Sequence, residues 1–386
     1  MSFFSKVRES IARNKQIVES GNHVGIPMPF KRLADYVPLI DRGQSIGLLS
    51  GTGIGKSRFA RYLFIYHIYN FYKQTGYKVK ILFFPLEDSK TKVYKNIICN
   101  YLYTVHNVLI SPLELDSKKS RALPDFVLDL INEAEEYFKE FEEVVTLIDG
   151  IHTPEGIYEF CEKFALQNGT VENYEVHTGK GVIKQSRYIS DTHTVVVIDN
   201  MSNLDSDDER AAMRRLAKDY VRERLCNFFD FTVLQIIQQD FATERQQFTN
   251  TGGVIISKLE PSLASIGEAK TISRSMHLIL SLFSPDRYDI LSYPKPPKDK
   301  PEMCYDIGIL GDRFRLLKVI KNNDGEVGIR VPLLMNAVQE TFEELPPFNT
   351  PEINAIYKKL KRTPLKVNDS KPLKGIESPN EDELPF

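Results

Sequence analysis

Two hydrophobic rhythms alternate along this chain: short fully apolar runs, and longer stretches with a one-sided apolar stripe. The short runs predict buried strands at 46–49, 81–84, 144–149, 194–199, 232–237, 279–283 and 316–320. Between them, helical character covers 94–103, 124–143, 154–166 and 209–227. Pro154 stands in the first turn of its helix, where proline is tolerated. Apolar strands interleaved with helices predict an α/β fold, a mostly parallel twisted sheet with helices on both faces.

The ends read differently. Residues 2–20 predict a short amphipathic helix with Phe4, Val7, Ile11 and Val18 on one face and Lys6, Arg8, Arg13 and Lys15 elsewhere. Gly21, Gly25, Pro27 and Pro29 end it. Its apolar face has two open placements, on its own domain or on a neighbouring subunit. Residues 1–21 are therefore an arm and 22–342 the main domain. Within that domain, residues 168–192 predict a surface hairpin or loop, and the proline- and lysine-bearing stretch 285–303 a loop. Residues 343–386 lack periodic apolar positions and predict a largely disordered tail.

The run Ser50-Gly51-Thr52-Gly53-Ile54-Gly55-Lys56-Ser57-Arg58 follows the first strand and opens a helix. Strand, glycine loop, Lys-Ser, helix is the layout of a phosphate-binding P-loop. Glycines let several backbone N–H groups point at one phosphate, and the helix N-terminus adds positive dipole. Lys56 would reach the terminal phosphates of ATP, and the Ser57 hydroxyl would hold Mg²⁺. Ser50 departs from the strict pattern, standing where its first glycine belongs. The plain alternative is a glycine-rich turn with a solvated lysine.

A P-loop ATPase also needs a carboxylate on the Mg²⁺ side, and Asp199 ends an apolar strand. Glu87, at the end of the 81–84 strand, is the candidate base for the attacking water, with Asp88 as its rival. That strand is expected beside the P-loop strand, so that both deliver their ends to one crevice.

Composition adds exclusions. The 386 residues carry a formal net charge of −2, so nucleic-acid affinity must come from a local patch. Cys99, Cys161, Cys226 and Cys304 are far apart and fit neither a zinc site nor a disulfide framework. No secretory signal and no apolar run long enough for a bilayer is visible, and a reduced cytoplasm (of a host cell, if the chain is phage-encoded) is the expected location.

Five blocks in order carry a resemblance. They are residues 50–57, the Phe83-Phe84-Pro85-Leu86-Glu87-Asp88-Ser89-Lys90 block, residues 195–204, Ile237-Gln238-Gln239-Asp240, and Lys321-Asn322-Asn323-Asp324-Gly325-Glu326-Val327-Gly328. Together they resemble the ATPase domain of DnaB-type replicative helicases, a RecA-like P-loop branch, in a short phage-like version. The resemblance spans roughly residues 22–342. It implies Glu87 as catalytic base, Lys56 and Ser57 on phosphate and Mg²⁺, Asp199 on the Mg²⁺ side, and Gln238 as a polar sensor. It further implies a hexameric ring with ATP between subunits, where Lys321 would act on the neighbour's nucleotide. The arginine finger of that family falls on Asn323, a departure. Arg315, Lys318 or Arg330 would have to substitute, or turnover in trans is weak.

The resemblance also implies single-stranded DNA in a central channel, met by loops 205–215 and 243–274. The second carries Arg245, Lys258, Lys270 and Arg274, while the first opens with Asp205, Asp207, Asp208 and Glu209, which repel phosphate. The end Glu381-Asp382-Glu383-Leu384-Pro385-Phe386 resembles the tip of bacterial single-stranded-DNA-binding proteins, which recruits replication partners. A primase, loader or other replication protein is the partner so implied. Two functions stay open: a helicase motor in DNA replication, and a RecA-like ATP-binding switch or scaffold without unwinding. A metabolic kinase fits less well, because nothing resembles a substrate lid.

Overall fold

The computed structural model describes residues 3–119, 121–178, 181–240 and 256–362. Nine strands form one sheet: β1 (Ser45–Ser50), β2 (Val79–Pro85), β3 (Val145–Leu147), β4 (His193–Asp199), β5 (Thr232–Gln238), β6 (Leu278–Phe283), β7 (Phe314–Asn322), β8 (Arg330–Asn336) and β9 (Thr341–Glu344). Their spatial order is β9-β8-β7-β6-β1-β5-β4-β2-β3. From β3 to β6 all neighbours run parallel, and β6 to β9 continue antiparallel. The mostly parallel α/β sheet expected from the apolar runs is present.

Alternate residues of the parallel strands feed two cores. Ile46, Leu48, Ile81, Phe83, Val195, Val197, Leu234 and Ile236 face one side. There they meet Phe59, Leu63, Phe64 and Ile68 from the helix that begins at Lys56 and runs through Tyr62–Tyr66 into His67–Thr75. Leu49, Leu82, Phe84, Val196, Ile198, Val233 and Ile237 face the other side. That side is covered by the helix Pro154–Asn168 and by a basic helix, Glu209–Arg214 continued by Arg215–Cys226. Burying each such side chain stabilises by about 1.5–3 kcal/mol, so strands apolar on both faces need both layers of helix.

The structure corrects three expectations. The strand ending near Glu87 is not beside the P-loop strand, because β5 and β4 lie between them. The helix expected over 124–143 is two, Asp125–Glu133 and Glu135–Val144, parted at buried Ala134. Val127 packs into a side cluster with Cys99 and Leu102, whereas Phe141 and Val144 join the main core, so one straight stripe could not serve both. Residues 343–362 are not without structure: β9 is followed by the helix Pro351–Arg362, whose Ile353 is buried against a small core with Tyr305 and Phe314. The segment 168–192 forms the hairpin Thr170–Thr178 with Gly181–Ile189. Among the described residues, no helix is long and apolar enough to cross a membrane.

The N-terminal helix spans Phe3–Glu19, and Phe4, Val7, Ile11 and Val18 on its apolar face are exposed in this chain.

Candidate functional site

The loop after β1 turns on two glycines with positive φ, Gly53 at 74° and Gly55 at 104°. A side chain at Gly55 would be strained in this backbone, and its Cβ would also lie 3.2 Å from the Met335 sulfur. Ile54, between them, turns inward and is buried, and its carbonyl accepts from Arg315 Nε at 2.6 Å. Arg315 is itself buried and also donates to Ser284 Oγ, the carbonyls of Asp312 and Phe314, and the Asp312 carboxylate. It braces the loop from beneath. Ser50 is buried at the end of β1, opposite Gln238 of β5.

Lys56 starts the helix and is buried, its Nζ donating to the carbonyls of Ser50 at 3.4 Å and Gly51 at 3.1 Å. Ser57 Oγ donates to Asp199 Oδ1 at 3.0 Å. Gln238 Nε2 donates to Thr52 Oγ1 at 2.7 Å, joining the end of β5 to the loop. Although β2 is not adjacent to β1, its end reaches the same crevice. Pro85 pairs with Asp199, and the amides of Leu86 and Glu87 both donate to the Asp199 carbonyl, at 2.6 and 3.3 Å. Glu87 is exposed there, while Asp88 is ion-paired with Lys92.

The crevice holds a cavity of about 250 Å³ lined by Thr52, Lys56, Ser57, Arg58, Glu87 and Gln238, among others. Burial pushes the Asp199 carboxyl up to about 6; Arg61 and the Ser57 hydrogen bond pull it down, and Glu87 and Asp88 push it further up. The donors fit the expected group. A serine hydroxyl and a carboxylate are hard oxygen ligands suited to Mg²⁺, and a glycine loop at a helix N-terminus with a lysine suits a polyphosphate. The cavity is smaller than the 300–1,000 Å³ of a typical small-molecule pocket, so it fits the phosphate end of a nucleotide rather than a whole one.

Two residues of this wall were not foreseen. Arg61 and Glu340 line the cavity and are both buried. Arg61 Nε donates to Glu340 Oε2 at 2.8 Å, Arg61 Nη2 to Oε1 at 2.5 Å, and Tyr66 OH to Oε2 at 2.8 Å. Burial works against the Arg61 charge, but the Glu340 carboxylate outweighs it and holds the guanidinium above its ordinary value. The available signal was a charge inside the apolar stripe of the helix, Arg58-Phe59-Ala60-Arg61-Tyr62-Leu63-Phe64.

The cations considered in place of an arginine at Asn323 are engaged within the chain. Arg315 braces the P-loop, and Lys318 and Arg330 both pair with Glu260, at 2.9 and 3.0 Å. Lys321 lies outside the cavity; its Nζ donates to the carbonyls of Ser273, at 2.8 Å, and Met276. Of the candidate DNA-contacting residues, Arg245 lies outside the described residues, as does the tip 381–386, and the Lys270 side chain is not described. Lys258 and Arg274 are exposed, but they do not share a pocket.

No family model matches the sequence, and no curated protein matches it. Solved structures do. The chain is similar to a solved helicase ATPase domain, with a TM-score of 0.60 and 16% identity over 88% of this chain and 99% of that one. It is also similar to a DnaB-like replicative helicase described with its interactions with primase, at a TM-score of 0.58 and 16% identity over 88% of this chain and 66% of that one. The fold is therefore that of a DnaB-type, RecA-like ATPase domain. At this identity the likeness concerns the fold, and the chemistry rests on the residues described above.

Proposed function

We propose that this protein is an ATP-hydrolysing motor that assembles as a ring and moves along single-stranded DNA in replication. The observation that carries this reading is the convergence of Lys56, the Ser57–Asp199 pair, Glu87 and the Gln238–Thr52 bond on one crevice of this fold. The P-loop amides and Lys56 would hold the ATP phosphates, and Ser57 with Asp199 would hold Mg²⁺. When bound, Mg²⁺ neutralises charge that develops on the phosphates during transfer. Glu87 accepts the proton of the attacking water, because its rival Asp88 is occupied by Lys92. Gln238 links the P-loop to the segment that follows β5, and so couples the nucleotide to the DNA side. The small cavity leaves the rest of the nucleotide to a neighbouring subunit, and the exposed apolar face of the helix Phe3–Glu19 ties subunits together.

A second reading has one observation in its favour. Asn323 is no arginine, and Arg315, Lys318 and Arg330 are all held by partners within the chain. An arginine finger is worth about 10³–10⁵ in rate, so a ring lacking one would act as an ATP-dependent switch or loader. Strand displacement separates the two. The motor reading expects ATP-dependent unwinding of a tailed duplex, abolished in Lys56→Ala with the fold intact. Normal unwinding by that variant would end the motor reading.

A further inference from the structure

The face of the sheet away from the P-loop helix carries a second cluster of charge. Arg214, Lys218 and Arg222 stand four residues apart along the basic helix and, with Arg274, line a pocket of about 350 Å³. Glu223 lines it too, and its carboxylate accepts from Asn227 Nδ2 at 3.3 Å. Other arginines of the same helix are matched: Arg215 pairs with Glu155, and Arg224 with Glu162 at 3.2 Å. Arg214, Lys218 and Arg274 have no ion pair or hydrogen bond among the described residues. Arg222 is held on the ring of His277, whose Nδ1 also accepts from the Ser45 amide at 2.9 Å. A chain of net charge −2 thus leaves several cations unmatched in one concavity, separated from the nucleotide crevice by the sheet.

We propose that this pocket binds the phosphate backbone of a nucleic-acid single strand. Three cations at about one-turn spacing extend over roughly 12 Å, which suits a linear polyanion better than a single phosphate. None of them presents the fork-and-edge pairing that reads bases, so binding is independent of sequence. The proposal rests on the reading of the protein as one that acts on single-stranded DNA, and it moves the contact from the loops to the flank of a helix.

The test is binding of fluorescein-labelled oligo(dT) by the full chain with a nonhydrolysable ATP analogue across a salt series. The comparison is with Arg214→Gln/Lys218→Gln/Arg274→Gln, and with Arg215→Gln/Arg224→Gln as the control from the paired face. Removing three backbone contacts should make the slope of log K against log salt shallower by about 2, at about 0.7 per contact, while the control keeps the wild-type slope. Where the triple variant misfolds, Lys218→Gln alone should flatten the slope by about 0.7. Wild-type affinity and slope in the variants would overturn the proposal, and unwinding by the wild type would then leave the motor reading standing. The reverse result, loss of oligo(dT) binding in the variant of a protein that never unwinds, supports the pocket and removes the motor. Loss of binding to the peptide Glu-Asp-Glu-Leu-Pro-Phe with oligo(dT) binding untouched would overturn the proposal in favour of an acidic protein segment.

Discussion

Ser57 Oγ meets Asp199 Oδ1 at 3.0 Å, joining the first turn of the P-loop helix to the end of β4. The contact closes the sheet's parallel crevice around two oxygen donors. It also keeps a carboxylate buried where water cannot solvate its charge.

That burial has a measurable consequence for stability. The Asp199 carboxyl is raised to about 6 in the folded chain against an ordinary 3.8. The folded state therefore binds more protons than the unfolded state between these values, so stability falls as pH rises through this window. Above pH 6 the ionised group costs about 3 kcal/mol. Asp199→Asn should raise the unfolding midpoint at pH 7.5, lose that advantage near pH 4, and abolish ATP hydrolysis. Equal stability of the two proteins at pH 7.5 would show that the carboxylate carries no such penalty.

Glu87 and Asp88 are neighbours with different surroundings, one exposed at the cavity and one paired with Lys92. Glu87→Gln should lower kcat for ATP by about 10²–10⁴-fold with ATP affinity changed little. Asp88→Asn should stay within about tenfold of the wild type. Single-turnover kinetics with a fluorescent nucleotide would resolve both, and a larger loss in Asp88→Asn would reverse the assignment.

Arg61 and Glu340 form a buried pair, 279 residues apart in sequence, in the wall of the same cavity. Removing one partner strands a charge in the interior. Arg61→Met or Glu340→Gln alone should cost about 3–5 kcal/mol in urea unfolding, and the double variant should cost less than the sum. Strict additivity of the two single effects would mean that the pair is not coupled.

The contrast between Lys56 and Arg61 shows what was legible beforehand. The P-loop is a local device, since glycines, lysine and serine within eight positions announce the backbone they need. Asp199 and Glu87 could be picked out because carboxylates ending apolar strands are rare and costly unless used. Strand order was not legible: β2 lies beside β4, and only the Leu86 and Glu87 amides on the Asp199 carbonyl bring Glu87 back toward the loop. Strand β8 was hidden by Pro332, which lacks a ladder donor and argues against an internal strand, yet it pairs with Leu316 of β7. The helix Pro351–Arg362 was hidden by its lysines, which dilute the stripe of Ile353, Ile356, Tyr357 and Leu360. Arg315 was weighed as a surface cation and is instead the brace under Ile54, a contact spanning 261 positions. Contacts over such separations leave no mark in local pattern.

The central claim is that this crevice hydrolyses ATP in response to single-stranded DNA, and steady-state hydrolysis with and without oligo(dT) tests it most directly. The account predicts turnover that rises at least tenfold with DNA, in the range of about 1–10³ s⁻¹ common to enzymes, and that disappears in Lys56→Ala. Tight ATP binding with turnover that is negligible and indifferent to DNA would contradict it.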